Sequence, residues 1–151
     1  MGQWLTEKQE LGEVDKWGLF DHPPAETFYC GRIAMMGDAA HASTPHQGAG
    51  AGQGIEDAYV MASLLGHSDT LTPDDVDRAF RAFDTVRRPR TQRVVSTSRA
   101  AGQLYDFELP GVEHDVEKIA LELGSRYDWI WNVDLDEHLT QAVEFMDQAS
   151  I

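Results

Sequence analysis

Apolar positions fall along this chain in several distinct patterns. Residues 17–20 read as a short extended segment, stopped by Pro23 and Pro24, which fix φ and remove backbone donors. Residues 27–36 are rich in β-branched, aromatic and apolar side chains and close on the run Ile33-Ala34-Met35-Met36, which predicts a buried strand ended by Gly37 and Asp38. A glycine-rich loop over 46–54 follows. Ile55, Ala58, Tyr59, Ala62 and Leu65 then recur at helical spacing, predicting a helix that buries this face and stops at Gly66.

The second half reads as helical throughout. Thr72, Pro73, Asp74 and Asp75 combine an N-capping hydroxyl, a proline at the first helical position and acids in the first turn. Val76, Ala79, Phe80, Phe83 and Val86 make the buried stripe of that helix. Pro89 has no N–H for the carbonyl of Thr85, so a kink is expected there, with the pattern resuming through Val94, Val95 and Ala100 to about Gly102. After the break at Leu109-Pro110-Gly111, a helix over 112–123 is expected to bury Val116, Ile119, Ala120 and Leu123. A last helix opens on the capping pair Asp134 and Glu137 and buries Leu135, Leu139, Val143 and Met146. These elements describe an α/β fragment that is mostly α-helical, with one or two strands, a long kinked helix and C-terminal helices. The length suits a single domain over 1–151, with a strand–loop–helix unit over 16–66 and a helical region over 72–151.

Composition narrows the function classes. A net charge of −14 argues against nucleic-acid binding, which needs basic groups to neutralise phosphates. No apolar run approaches the ~20 residues of a membrane-spanning helix, and the polar first fifteen residues do not resemble a secretory signal. Met1-Gly2 with Thr6 matches the loose myristoylation template, a short pattern that arises often by chance. The one cysteine, Cys30, cannot form an internal disulfide; it fits a reducing, cytoplasmic setting and reads as a buried inert thiol. From Gln103 onward twelve acidic residues face only Lys118 and Arg126, which reads as solvated helix faces. Arg87, Arg88, Arg90 and Arg93 are expected to pair with this acidic tail or stay solvated, and Trp129 and Trp131 to anchor a core or an interface. His41, His46 and Asp38 lack a further residue at metal-ligand spacing.

The chemistry concentrates in residues 31–65. Gly37-Asp38 places a carboxylate at the end of a strand, where α/β proteins bind ligands and where it can accept hydrogen bonds from sugar-like hydroxyls. Gly48, Gly50, Gly52 and Gly54 let the backbone approach a ligand closely and feed into a helix start, whose free N–H groups favour negative charge. A flat or anionic ligand pressed on backbone amides is the expectation. His22 and His46 could serve as acid or base, against the alternative of ordinary loop hydrogen bonding.

Gly-Asp-Ala-Ala-His at 37–41, Pro-His-Gln-Gly-Ala-Gly at 45–50 and Asp57-Ala58, in this order and spacing, resemble the FAD-dependent aromatic hydroxylases, in particular the salicylate-hydroxylase-like branch. Similarity spans about 17–102. The resemblance implies a Rossmann-like FAD domain, with Gly37 and Asp38 at the ribityl chain of FAD and Pro45 beside the reactive edge of the flavin. Gly48, Ala49 and Gly50 would present amides to its pyrimidine side, and Asp57 would be structural. It further implies NAD(P)H and oxygen as co-substrates and a small aromatic acid as substrate. Gly54 departs from the family, which has a better helix former there. The family's G-x-G-x-x-G fingerprint does not occur in these 151 residues, so FAD binding by the isolated chain is expected to be weak or absent. Two alternatives remain. One is a free-standing truncated homologue that binds a small aromatic ligand or does cofactor-free acid/base catalysis. The other is a non-catalytic self-associating module. The expected partner is a second copy of the chain in a homodimer or, for the monooxygenase reading, a missing N-terminal half.

Overall fold

The computed structural model describes residues 17–67 and 72–148; the Met1-Gly2 and Thr6 pattern lies outside them. In chain order the elements are β1 (Tyr29–Cys30), β2 (Ile33–Ala34), α1 (Asp38–His41), a 3-10 turn (Pro45–Gln47), α2 (Gly50–Leu65), α3 (Pro73–Tyr105), α4 (Val116–Ser125), α5 (Asp128–Trp131) and α6 (Leu135–Gln148). Helices dominate, and β1 and β2 form a two-stranded antiparallel hairpin. None of the helices, among the described residues, is long and apolar enough to cross a membrane.

The 33-residue α3 is the axis of the molecule. Its start is a full capping box: the Thr72 side chain accepts from the Asp75 amide, and the Asp75 carboxylate accepts from the Thr72 amide at 2.8 Å. The helix continues unbroken through Pro89. One backbone hydrogen bond is forfeited there, but Arg87, Arg88 and Arg90 on either side are each anchored by side-chain bonds that hold the segment in place. Against α3 pack α2 and α6. Val60, Met61 and Leu64 meet Ala79, Phe80, Ala82, Phe83 and Val86, and Ala142 and Met146 complete the core, with Phe28 and Ala40 at one end. Phe28 is tied to α3 by its amide, which donates to the Asp84 carboxylate at 2.8 Å.

Four expectations change. The strand over 27–36 is not continuous: Gly31 takes φ 54° and turns the chain back, pairing Tyr29 with Ala34 and Cys30 with Ile33. Of this stretch only Phe28 is buried, while Ile33 is 74% exposed and Met35 and Met36 are also exposed. Second, α2 begins at Gly50, taking three glycines into its first turns, and it is rotated relative to the expectation. Its buried face is Gln53, Glu56, Asp57, Val60, Met61 and Leu64, and Ile55 is 72% exposed. Polar residues point inward because cations reach them from α3. Third, α4 forms but fully buries none of its residues; Ile119 is half-buried, and Val116 and Leu123 are exposed. Fourth, Cys30 is exposed, at the hairpin turn. The last helix matches expectation better. The Asp134 carboxylate accepts from the Asp136 and Glu137 amides at 3.0 Å, Ala142 and Met146 are buried, and Val143 packs on the core.

Candidate functional site

The site grows from the crossing of the Gly37–His41 segment with α2. Gly37 has φ 57° and ψ −144°, a conformation suited only to glycine. Its amide donates to Asp57 Oδ2 at 2.9 Å, and His41 Nε2 lies 2.6 Å from the same oxygen. Asp57 is fully buried, so it fastens the loop from below and has no access to a ligand. Asp38, one residue on, is exposed at the start of α1. A hidden carboxylate thus fixes the backbone that presents an open one.

The glycine-rich segment opens on the 3-10 turn at Pro45–Gln47. Gly48 closes that turn in the left-handed conformation (φ 62°, ψ 20°), and its amide donates to the Pro45 carbonyl at 3.0 Å. Of the three amides expected to face a ligand, Gly48's is therefore already committed to Pro45. The free donors lie just beyond it, at the start of α2. The first turn of α2 has no side-chain cap and no acid, so its leading N–H groups and dipole end remain unneutralised. A methyl group added at Gly48 or Gly52 would meet nothing within 4 Å, which makes this an open ledge.

Beneath the ledge lies an ion-pair network. Arg87 is fully buried; its Nε donates to Asp57 at 2.8 Å and one terminal nitrogen to Glu56 at 2.6 Å, while the other donates to the Gln53 side chain at 3.0 Å. Arg90 holds Glu56 through both carboxylate oxygens, at 2.8 and 2.9 Å, and also donates to the carbonyls of Trp129 and Ile130. Burial pushes the Asp57 pKa up, but the hydrogen bonds from His41, the Gly37 amide and Arg87 together hold it below the usual carboxylate range. Glu56 is lowered in the same way: burial is outweighed by Arg90 and Arg87. The arginines expected to meet the acidic tail or solvent instead divide. Arg87 and Arg90 serve α2, Arg88 pairs with Asp84 in its own helix, and Arg93 lies over the Trp129 ring at 4.0 Å. Trp129 is half-buried under that cation, whereas Trp131 is 71% exposed and stacks on Tyr127.

Sequence reasoning found Asp57 but not Gln53, Glu56, Arg87 or Arg90 as one unit. The available signal was charge: two adjacent acids on one helix and two arginines three residues apart on another.

His22 and His46 pack against different stretches of α3. The His22 amide donates to Ala42, and its side chain lines a small crevice of about 50 Å³ with Pro23, His41, Val95 and Arg99. Arg99, which lines the crevice, donates two bonds to Asp21 at 2.9 and 2.5 Å. His46 lies further along the helix, against Tyr105, with its Nδ1 buried and without a hydrogen-bond partner. Pro45 is exposed at the start of the 3-10 turn.

A family model described as an FAD binding domain matches residues 5–98, more than half of the chain. The chain belongs to the FAD binding domain family. Within it, the chain is similar to a salicylate hydroxylase of Pseudomonas putida, 46% identical over 126 residues that cover 83% of this chain and 29% of the relative. It is also similar to a 6-methylsalicylate 1-monooxygenase of Aspergillus terreus, 44% identical over 138 residues, 89% of this chain and 30% of the relative. A solved structure described as a salicylate hydroxylase substrate complex superposes with a TM-score of 0.79 at 46% identity, covering 91% of this chain and 34% of that one. The chain spans about a third of the length of these relatives.

The ledge suits the flavin end of FAD. It offers an exposed carboxylate for hydroxyls, uncapped amides for a polar ring edge, and no Cβ in the way.

Proposed function

We propose that this chain is the flavin-contacting and C-terminal portion of an FAD-dependent monooxygenase that hydroxylates small phenolic acids with NAD(P)H and oxygen. The observation that carries the reading is the conjunction of the exposed Asp38 with the uncapped glycine start of α2, both held by the buried Asp57–Arg87 pair. FAD, when bound, supplies the redox chemistry. The work of the chain's own residues is to bind, orient and handle protons. The Asp38 carboxylate accepts hydrogen bonds from the ribityl hydroxyls, with Gly37 setting its backbone. The amides of Ala49, Gly50 and the first turn of α2 face the polar edge of the ring, where a helix N-terminus stabilises negative charge. Pro45 packs beside the ring, and His46 handles the proton of a phenolic hydroxyl. Pro45 and His46 lie in the 3-10 turn that leads into the ledge, while His22 lines a separate crevice.

A chimera tests this reading. Residues 17–148 replace the matching segment of the Pseudomonas putida salicylate hydroxylase. The folded chimera is expected to purify with flavin absorbance and to consume NAD(P)H when given salicylate. Asp38→Ala should weaken flavin retention at least tenfold. A folded chimera that carries no flavin and gains none on reconstitution would sink the proposal.

A further inference from the structure

The last turns of α3 carry a second feature of the same site. Ser98, Gly102 and Tyr105 stand at i, i+4 and i+7, on one face of the helix, and that face grips residues 44–47 from end to end. Ser98 Oγ donates to the Thr44 carbonyl at 2.5 Å and accepts from Thr44 Oγ1 at 3.1 Å. Next to it, Thr97 Oγ1 lies 3.0 Å from Gln47 Oε1. The Tyr105 hydroxyl donates to the His46 carbonyl at 3.2 Å and lies 2.9 Å from the Tyr127 hydroxyl. Between these anchors is Gly102, buried, and the His46 ring rests directly on it. A Cβ at 102 would stand 2.6 Å from Cε1, 2.8 Å from Nδ1 and 3.1 Å from Nε2 of that ring. Glycine in a helix interior sacrifices stability relative to alanine, so a glycine in this buried turn suggests a need for space.

We propose that Gly102 and Tyr105 are positioning residues for His46. Gly102 leaves the pocket that the imidazole fills, and Tyr105 holds the His46 backbone so that the ring cannot swing out of it. Tyr127 extends the hold into the C-terminal region, joined by Arg126, which donates to the Thr97 carbonyl at 3.2 Å. The C-terminal helices thereby help to set the orientation of a side chain 81 residues earlier (from Tyr127 to His46). The inference rests on the reading of His46 as the proton-handling residue only for its catalytic meaning; the packing itself is independent of flavin.

The test uses the 151-residue chain and needs no cofactor. Two-bond 1H–15N spectra report the ring nitrogens of His46, assigned through His46→Ala. Gly102→Ala and Tyr105→Phe should both move the His46 signals and leave those of His22 in place. Thermal unfolding supplies the second arm. Gly102→Ala should lower Tm when His46 is present and raise it in the His46→Ala background, because the methyl group then enters an empty pocket and the helix keeps the gain of alanine. Unmoved His46 signals in both variants, or a rise in Tm in both backgrounds, overturns the proposal. If Gly102→Ala does not fold, the double variant decides: recovery of the fold supports the proposal, and continued unfolding overturns it. A chimera that fails to bind flavin leaves every one of these outcomes unchanged, so the two readings fail separately.

Discussion

Arg87 sits at 0% exposure with two carboxylates, a side-chain amide and a backbone carbonyl around its guanidinium. Its truncation would leave Glu56 and Asp57 without their shared partner, a loss of about 3–5 kcal/mol for a broken buried pair. Arg87→Ala is therefore expected to unfold the chain or to lower its urea midpoint severely. Arg87→Lys should fall between, because an ammonium keeps the charge but cannot form the fork. Two glycines that face each other make a contrasting pair. Gly37→Ala forces a side chain into a backbone region that only glycine occupies, at a cost of order 1–3 kcal/mol. Gly54 is an ordinary helical residue, and a Cβ there would rest 3.7 Å from the Gly37 Cα, a normal contact. Gly54→Ala is therefore expected to stabilise by up to about 1 kcal/mol, the helix-propensity difference. Opposite shifts in unfolding midpoint for these two variants would confirm the crossing; equal destabilisation would contradict it.

At the scale of elements, α2, α3 and α6 are joined by charge as well as by apolar contact, and this makes stability depend on pH in two windows. His138 on α6 lies 3.5 Å from Arg87, and its pKa is lowered by burial and then by the charges of Arg87 and Arg90. The unfolded chain binds that proton near pH ~6.5 while the folded chain resists it, so stability starts to fall as pH drops below about 6.5 and levels once the folded form is protonated. Glu56 and Asp57 are depressed in the folded state. Their stabilisation is complete above the ordinary carboxylate range and is lost as pH falls through the folded values, below about pH 4. Denaturant titrations between pH 8 and 3 should show both declines. His138→Gln should remove the upper one and keep the lower; if the upper decline persists, His138 is not its source. The element-level reading of sequence was right about where α3 starts, because capping chemistry is local. It was wrong about the inward face of α2, because the partners of Glu56 and Asp57 arrive from 31 and 30 residues away.

For the whole molecule, the apolar surface left uncovered is informative. Ile33, Met35 and Met36 on the hairpin side, and Ile55, Tyr59 and Leu65 on the outer face of α2, are all exposed. Sequence patterning marks most of them as interior residues, and the chain spans about a third of the relatives it matches. On the proposed reading, the free chain is expected to bind a hydrophobic dye such as ANS strongly, and the chimera to bind it weakly, the remainder of the Pseudomonas putida hydroxylase covering these faces. Replacing Ile33 and Ile55 by glutamate should cut dye binding by the chain without lowering its Tm, since neither side chain contributes to the core. Equal dye binding by chain and chimera would mean that these faces are not what the remainder covers.

The amino-acid sequence by itself determined the long helices of the second half, the capping of α3, the break at Leu109-Pro110-Gly111 and the glycine-rich motif that marks the family. Each of these depends on neighbours within a few positions, or on residue types whose backbone demands are intrinsic. Tertiary structure alone decided which face of α2 is inside, that the Gly48 amide turns to Pro45 and away from a ligand, that Cys30 is exposed, and that His46 rests on Gly102. The face of α2 and the seat of His46 depend on groups from distant parts of the chain meeting, whereas the Gly48 bond and the exposure of Cys30 follow from positive-φ turns at Gly48 and Gly31. Periodicity records how apolar a position is, whereas burial of a charge depends on whether its counter-charge is brought to meet it.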